Sequence, residues 1–214
     1  MNRIIKRELI GNLKYKNTVV LKYKIEYAEI TGSNYQLGRN LFNKYNKQKA
    51  LELEERAKTT LFKEASKQYD YNKTNDYPIM VYEVFLQYNI TFNQSYIVSL
   101  YYDQYEFTGG AHGNTIRTSQ NWDLRTGKQI PLQYFYPKNP YYVLDILREI
   151  NKQIKGQIQS GNNYYFDDYC ELVLDTFNLD NYYLNPDSIA IFFQQYDIAP
   201  YSSGIPVFYL PFKD

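Results

Sequence analysis

Residues 18–30 read TVVLKYKIEYAEI, placing Val19, Leu21, Tyr23, Ile25 and Tyr27 on one face and Lys22, Lys24 and Glu26 on the other. Strict alternation of this kind fits a half-buried strand. After a Thr31-Gly32-Ser33-Asn34 break the period changes. To about Tyr69 there is no proline. Leu37, Leu41 and Tyr45 form one apolar stripe, and Ala50, Leu53, Ala57, Leu61 and Ala65 form another at helical spacing. The five-residue step from Tyr45 to Ala50 predicts a bend or two successive helices.

Period two returns at Tyr77. The runs YPIMVYEVFLQYNITF, YIVSLYYDQYEF and NTIRTSQNWDL predict three strands. Their turns fall at Asn93-Gln94-Ser95, at Gly109-Gly110 with the residues after them, and at Arg125-Thr126-Gly127-Lys128. Such short connections predict an antiparallel meander. Asn139 is a candidate N-cap with Pro140 at the first helical position, and Leu144, Leu147, Ile150 or Asn151, Ile154 and Ile158 follow at helical spacing up to Gly161-Asn162-Asn163. A shorter helix is expected over 167–177, then strands near 181–184, 188–194 and 207–210. Helices and strands are grouped more than alternated, so the fold class is α+β. The expected form is an antiparallel sheet packed by one long N-terminal helix and a second helix in the C-terminal half. Two interlocked segments, 1–100 and 101–214, are expected to make one compact unit.

At 214 residues the chain can bury a core without staples. Its one cysteine, Cys170, excludes an intramolecular disulfide and a Cys-rich zinc site, and its apparently helical, apolar context predicts a core position. The one histidine excludes a His-rich metal site. No G-x-S-x-G elbow, Walker loop or Rossmann fingerprint occurs. The residues themselves therefore identify no catalytic set, metal ligands or cofactor.

No run approaches the roughly 18 continuous apolar residues of a membrane span. The start, MNRIIKRELIGNLKYKN, lacks the apolar core of a secretory signal, which leaves two expectations: a cytoplasmic protein, or a leader or anchor outside this sequence. Charge is uneven. Residues 1–70 hold 15 of the 24 lysines and arginines, whereas no Lys or Arg stands between Lys155 and Lys213 beside Asp167, Asp168, Glu171, Asp175, Asp180, Asp187 and Asp197. That segment repels nucleic acid and suits either a cationic partner or a solvated acidic face. The 26 tyrosines fit a ligand-binding surface or an AT-rich coding bias.

His112 lies in YEFTGGAHGNT, where three glycines in five residues imply positive φ or close approach of another group. Three readings stand: a hydrogen-bonded turn histidine, a ligand contact, or a general acid–base group.

This stretch, the later Trp122-Asp123-Leu124 with Thr126-Gly127-Lys128, and the closing Tyr196-Asp197-Ile198-Ala199-Pro200-Tyr201-Ser202-Ser203-Gly204 together resemble a bacterial family. It is the domain-of-unknown-function pair found in the extracytoplasmic part of RsiV-type anti-sigma factors and in the non-catalytic N-terminal region of PdaC-type peptidoglycan deacetylases. Residues 1–100 resemble the family's first segment more loosely. The resemblance implies an α+β fold whose long first helix packs on a sheet shared by both segments. It also implies an extracytoplasmic, cell-envelope role without a cofactor, and as partners lysozyme, which RsiV-like members bind, or peptidoglycan fragments.

The expectation is a non-catalytic binding module with contacts from Gly110, His112 and Asn114 and from Tyr196, Pro200, Tyr201, Ser202 and Ser203. Two alternatives stand beside it. One is a wall-glycan enzyme pairing His112 with a carboxylate, and the other is an intracellular interaction protein. Tyr201 has a second reading, as a loop residue that pins the last strand to the core.

Overall fold

The computed structural model describes residues 2–32, 34–161 and 164–212. Nine strands and four α-helices follow in the order β1 (Arg3–Tyr15), β2 (Thr18–Thr31), α1 (Gln36–Arg56), α2 (Phe62–Thr74), β3 (Tyr82–Gln94), β4 (Ile97–Phe107), β5 (Asn114–Asp123), β6 (Lys128–Gln129), α3 (Tyr142–Gln159), α4 (Tyr169–Thr176), β7 (Tyr182–Leu184), β8 (Ser188–Phe192) and β9 (Val207–Pro211). One sheet runs β1-β2-β3-β4-β5-β6 and a second runs β7-β8-β9. The fold is α+β. Two compact units divide the chain: Met1–Asn89 with Tyr102–Ile116 and Leu124–Gly127, and Ile90–Tyr101 with Arg117–Asp123 and Lys128–Asp214.

In the first unit the basic N-terminal run is a strand. Lys16 and Asn17, both at positive φ, make the tight turn that pairs β1 antiparallel with β2. β2 then pairs with β3 in parallel, from Leu21↔Tyr82 to Ile25↔Leu86, so the sheet is mixed and not the wholly antiparallel one expected. The cause is the long helical crossover, which returns the chain to the end of the sheet from which β2 started.

That crossover is helical from Gln36 to Thr74, with a single π turn at Ala57–Leu61 between α1 and α2. The stripe Leu37, Leu41, Tyr45 does not face the core: Leu37 is 63% exposed. Gly38, Phe42, Asn46 and Ala50 are buried instead, and this stripe runs on through Leu53, Ala57, Leu61 and Ala65. Close packing selects the glycine, since a Cβ on Gly38 would stand 1.9 Å from the Leu124 carbonyl oxygen. The helix is interrupted at the π turn, not at residues 45–50, and the buried stripe runs through it. Steps of four drift around a 3.6-residue helix, and one wide turn resets them.

Beyond Ile25, side chains of the first unit replace β3 along the edge of β2. The Ile30 N–H donates to Asn43 Oδ1 at 2.8 Å, and Asn43 Nδ2 donates to the Ile30 carbonyl at 2.9 Å. The Ala28 N–H donates to the Tyr102 hydroxyl at 3.1 Å. Buried backbone groups demand partners, and α1 and β4 supply them here.

In the second unit, Ile146, Leu147, Ile150 and Ile154 of α3 and Val173 of α4 pack with Leu184, Ile189, Ile191, Phe208 and Leu210 of the small sheet. Asn139 stands two positions before the cap, which is Tyr141. Its Oδ1 accepts the Tyr141 N–H at 2.9 Å and its Nδ2 donates to Asp145, so α3 begins at Tyr142. Gly161, at φ 91°, follows the end of α3, and Asn162 and Asn163 lie outside the described residues. Cys170 is exposed, not core. Eight residues of α4 offer one narrow inward face, Val173 takes it, and Cys170 and Leu174 point away together at a spacing of four.

A buried polar node ties this unit's portion of the large sheet to β7. Ser99 Oγ donates to Asn121 Oδ1 at 2.7 Å and accepts hydrogens from the Leu184 N–H at 2.8 Å and the Thr91 hydroxyl at 3.2 Å. Asn121 Nδ2 then donates to the Tyr182 carbonyl at 2.9 Å.

Candidate functional site

The expected site residues divide between the units. Gly110 and His112 lie on the Thr108–Gly113 loop that joins β4 to β5, and Asn114 is the first residue of β5. Gly109 and Gly110 have φ of 103° and 94°, a region that favours glycine. Gly113 answers a different demand. A Cβ there would stand 2.5 Å from the Glu106 carbonyl oxygen and from the Tyr105 ring. His112 is exposed, and its Nδ1 lies 2.9 Å from the Gly113 carbonyl, a contact that requires the proton on Nδ1.

Beside this loop, still within the first unit, α1 and the ends of β4 and β5 enclose an open groove of about 620 Å³. Lys49, Glu52 and Arg56 line it from the helix; Gln104, Glu106, Thr108, Asn114 and Ile116 line it from the sheet side. Arg56 grips Glu106 with both terminal nitrogens, Nη2 reaching Oε2 at 2.9 Å and Nη1 reaching Oε1. Gln104 Nε2 donates to the same Oε1 at 2.6 Å. The Glu106 carboxylate raises the Arg56 pKa above its ordinary value. Lys49 pairs with Glu52 at 2.9 Å, and this hydrogen bond lowers the Glu52 pKa. The groove's ions therefore cancel pairwise, and its amides, hydroxyl and Ile116 complete a polar wall with one apolar patch.

The second group lies in the second unit. Tyr196, at φ 68°, and Tyr201, which opens a 3-10 turn over Tyr201–Ser203 after Pro200, set their rings 5.9 Å apart. Ser202 is exposed, and Ser203 Oγ donates to the Tyr164 carbonyl at 3.0 Å. The residues between them hold the segment in place. Ile198 and Ala199 are buried in the core, and Asp197 Oδ2 accepts the Gln194 N–H at 2.6 Å. Burial raises the Asp197 pKa, a shift that the Gln194 N–H opposes. The Gln194 side chain binds both the N–H and the carbonyl of Arg117, at 2.9 and 2.7 Å. The Arg117 guanidinium in turn lies 3.9 Å from the centre of the Tyr101 ring.

Sequence reasoning reached Asn114 and missed the other groove residues. Arg56 and Glu106 stand 50 positions apart, and no local pattern joins them. Among the described residues no three His, Cys, Asp or Glu side chains gather as a metal site, and no helix is long and apolar enough to cross a membrane.

A mixed six-stranded sheet with a helical crossover, followed by a three-stranded sheet carrying two helices, defines an α+β module in two parts. Each part has its family match. Residues 15–115 match the family model described as Deacetylase PdaC, and residues 135–213 match the Protein of unknown function (DUF3298) model. The His112 loop falls in the first match and the Tyr196–Ser203 segment in the second.

Two solved structures share the fold. A DUF3298 family member from Bacteroides fragilis superposes with a TM-score of 0.72 at 17% identity, covering 98% of this chain and 90% of that one. A DUF3298 family protein from Pseudomonas aeruginosa gives 0.61 at 16%, covering 98% and 91%. No curated protein matches the chain.

Proposed function

We propose that the chain is a non-catalytic binding module of the bacterial cell envelope that takes a peptidoglycan-type glycan in the groove beside the His112 loop. The lining of that groove carries the reading. Amide and hydroxyl groups of Gln104, Asn114 and Thr108, with Ile116 beside them, suit sugar hydroxyls and N-acetyl groups. The internally cancelled ion pairs suit a ligand of little net charge. The Glu52 carboxylate, its pKa lowered by Lys49, is a poor proton carrier, which favours binding over catalysis. The envelope setting rests on the PdaC segment match and on the motif resemblance to extracytoplasmic domains.

Calorimetric titration with soluble peptidoglycan fragments tests the reading. Saturable binding that weakens about tenfold or more in Arg56→Ala is expected, since the variant breaks the charge-assisted hydrogen bonds to Glu106 that fix the groove wall, each worth about 1.5–3 kcal/mol. No heat with any fragment removes the reading. Turnover of a wall glycan that vanishes in His112→Ala would replace it with the acid–base alternative.

A second reading, recognition of a cationic protein such as a lysozyme, is favoured by one observation in the other unit. Asp167, Asp168, Glu171, Asp175, Asp180 and Asp187 are all exposed, in a stretch without Lys or Arg. Affinity that falls steeply with salt and is insensitive to Arg56 marks this mode.

A further inference from the structure

β1 ends the six-strand order, so among the described strands it has one neighbour, β2. Over thirteen residues its outward N–H and C=O groups form a template for another strand. Natural edges are commonly blocked by charged side chains, proline or a bulge. Here the three central charges, Lys6, Arg7 and Glu8, are drawn back across the ladder toward β2. Arg7 holds Glu29 through Nε and Nη2, both at 3.0 Å; Lys6 reaches Glu26 and Glu8 at 3.1 Å each; and Lys24 reaches Glu8 at 3.3 Å. There is no proline in residues 3–15, and the bulge lies at the far end, between Leu13 and Lys14.

We propose that this edge pairs with β1 of a second copy of the chain, antiparallel, with Leu9 opposite Leu9. Two identical antiparallel strands are related by a two-fold axis perpendicular to the sheet, so each sheet face continues into itself. Odd positions then oppose odd ones and even oppose even. Length and charge decide among the registers that remain: centring on Leu9, the midpoint of Arg3–Tyr15, pairs the whole strand, whereas centring on Gly11 or Asn12 leaves its N-terminal residues unpaired. Centring on Arg7 or Glu8 sets a like pair on the axis, and centring on Ile10 sets Lys6 against Lys14. Like charges directly opposite are destabilising. Centring on Leu9 opposes Ile5 to Leu13, Arg7 to Gly11 and Glu8 to Ile10, with no like-charged pair along the whole strand.

Ile10 is 61% exposed, so substituting it tests the register with little risk to the fold. Sedimentation equilibrium of the full chain is expected to show a mass rising with concentration toward twice 25.6 kDa. Ile10→Glu sets a like charge against the partner's Glu8 twice by symmetry and is expected to weaken association roughly 2- to 30-fold. Ile10→Lys meets the partner's Glu8 with opposite charge and is expected to hold or tighten it. Amide exchange of the unaltered chain is expected to slow at alternate β1 residues as concentration rises. A mass fixed at 25.6 kDa overturns the proposal. So does a dimer whose β1 exchange ignores concentration, or one that both Ile10 variants weaken alike.

Discussion

The Tyr102 hydroxyl donates to Asn46 Oδ1 at 2.8 Å while accepting the Ala28 N–H at 3.1 Å, so one side chain of β4 links α1 to the backbone of β2. Burial raises its pKa, keeping the phenol protonated and able to donate. Tyr102→Phe strands the buried Ala28 N–H and removes the hydroxyl donor from the buried Asn46 amide oxygen. A loss of about 1–3 kcal/mol is expected, measured by urea unfolding.

Two glycines are expected to respond oppositely to one change. Gly38→Ala drives a methyl to within 1.9 Å of the Leu124 carbonyl oxygen and is expected to cost about 1–3 kcal/mol, as overpacking does. Gly156 lies within α3 with nothing inside 4 Å of an added Cβ. Gly156→Ala is expected to stabilise by about 0.5–1 kcal/mol. Paired thermal melts check the sign of each.

Asp197 sets a pH dependence. Burial raises its folded pKa above the unfolded value, so its contribution to stability is present below the unfolded pKa and is lost as pH rises through the folded one. Asp197→Asn keeps an acceptor for the Gln194 N–H and carries no charge. The variant is expected to gain on the natural chain between pH 3 and pH 7, from the region below the carboxylate's ordinary pKa to well above it. Melting temperatures at the two pH values decide it.

Arg117 makes a positional prediction. Its guanidinium stacks on Tyr101 in a planar contact that an ammonium does not reproduce. Arg117→Lys is expected to cost about 0.5–1 kcal/mol, and Tyr101→Leu a similar amount, with a double variant less destabilised than the sum. Chemical unfolding of all four chains measures the coupling.

Most elements were legible because period and turn chemistry agreed. β2, the three strands from Tyr82 to Asp123, α3, α4 and the closing strands fall where the pattern places them. β1 was missed although Leu9, Gly11, Leu13 and Tyr15 alternate with more exposed neighbours, because Arg and Lys dominate the run. The face of α1 was misread for a tertiary reason. A helix that must approach the Leu124 backbone and accept the Tyr102 hydroxyl of β4 buries Gly38 and Asn46 and leaves Leu37 and Leu41 outside. The loop of His112 was legible from its glycines. The groove beside it was not, since it depends on Arg56 and Glu106 meeting through the fold.

Ser99 has one hydrogen and two lone pairs to offer, and all three are engaged, by Asn121, by Leu184 and by Thr91. Alanine lacks all three functions, cysteine donates weakly over longer distances, and threonine, which has the same hydroxyl, brings a methyl into a position with no exposed surface. The strands that meet there are thus locked in sequence space as well as in position. Ser99 and Asn121 are free to change only as a pair, and a lineage that loses one is expected to carry a compensating apolar replacement at the other.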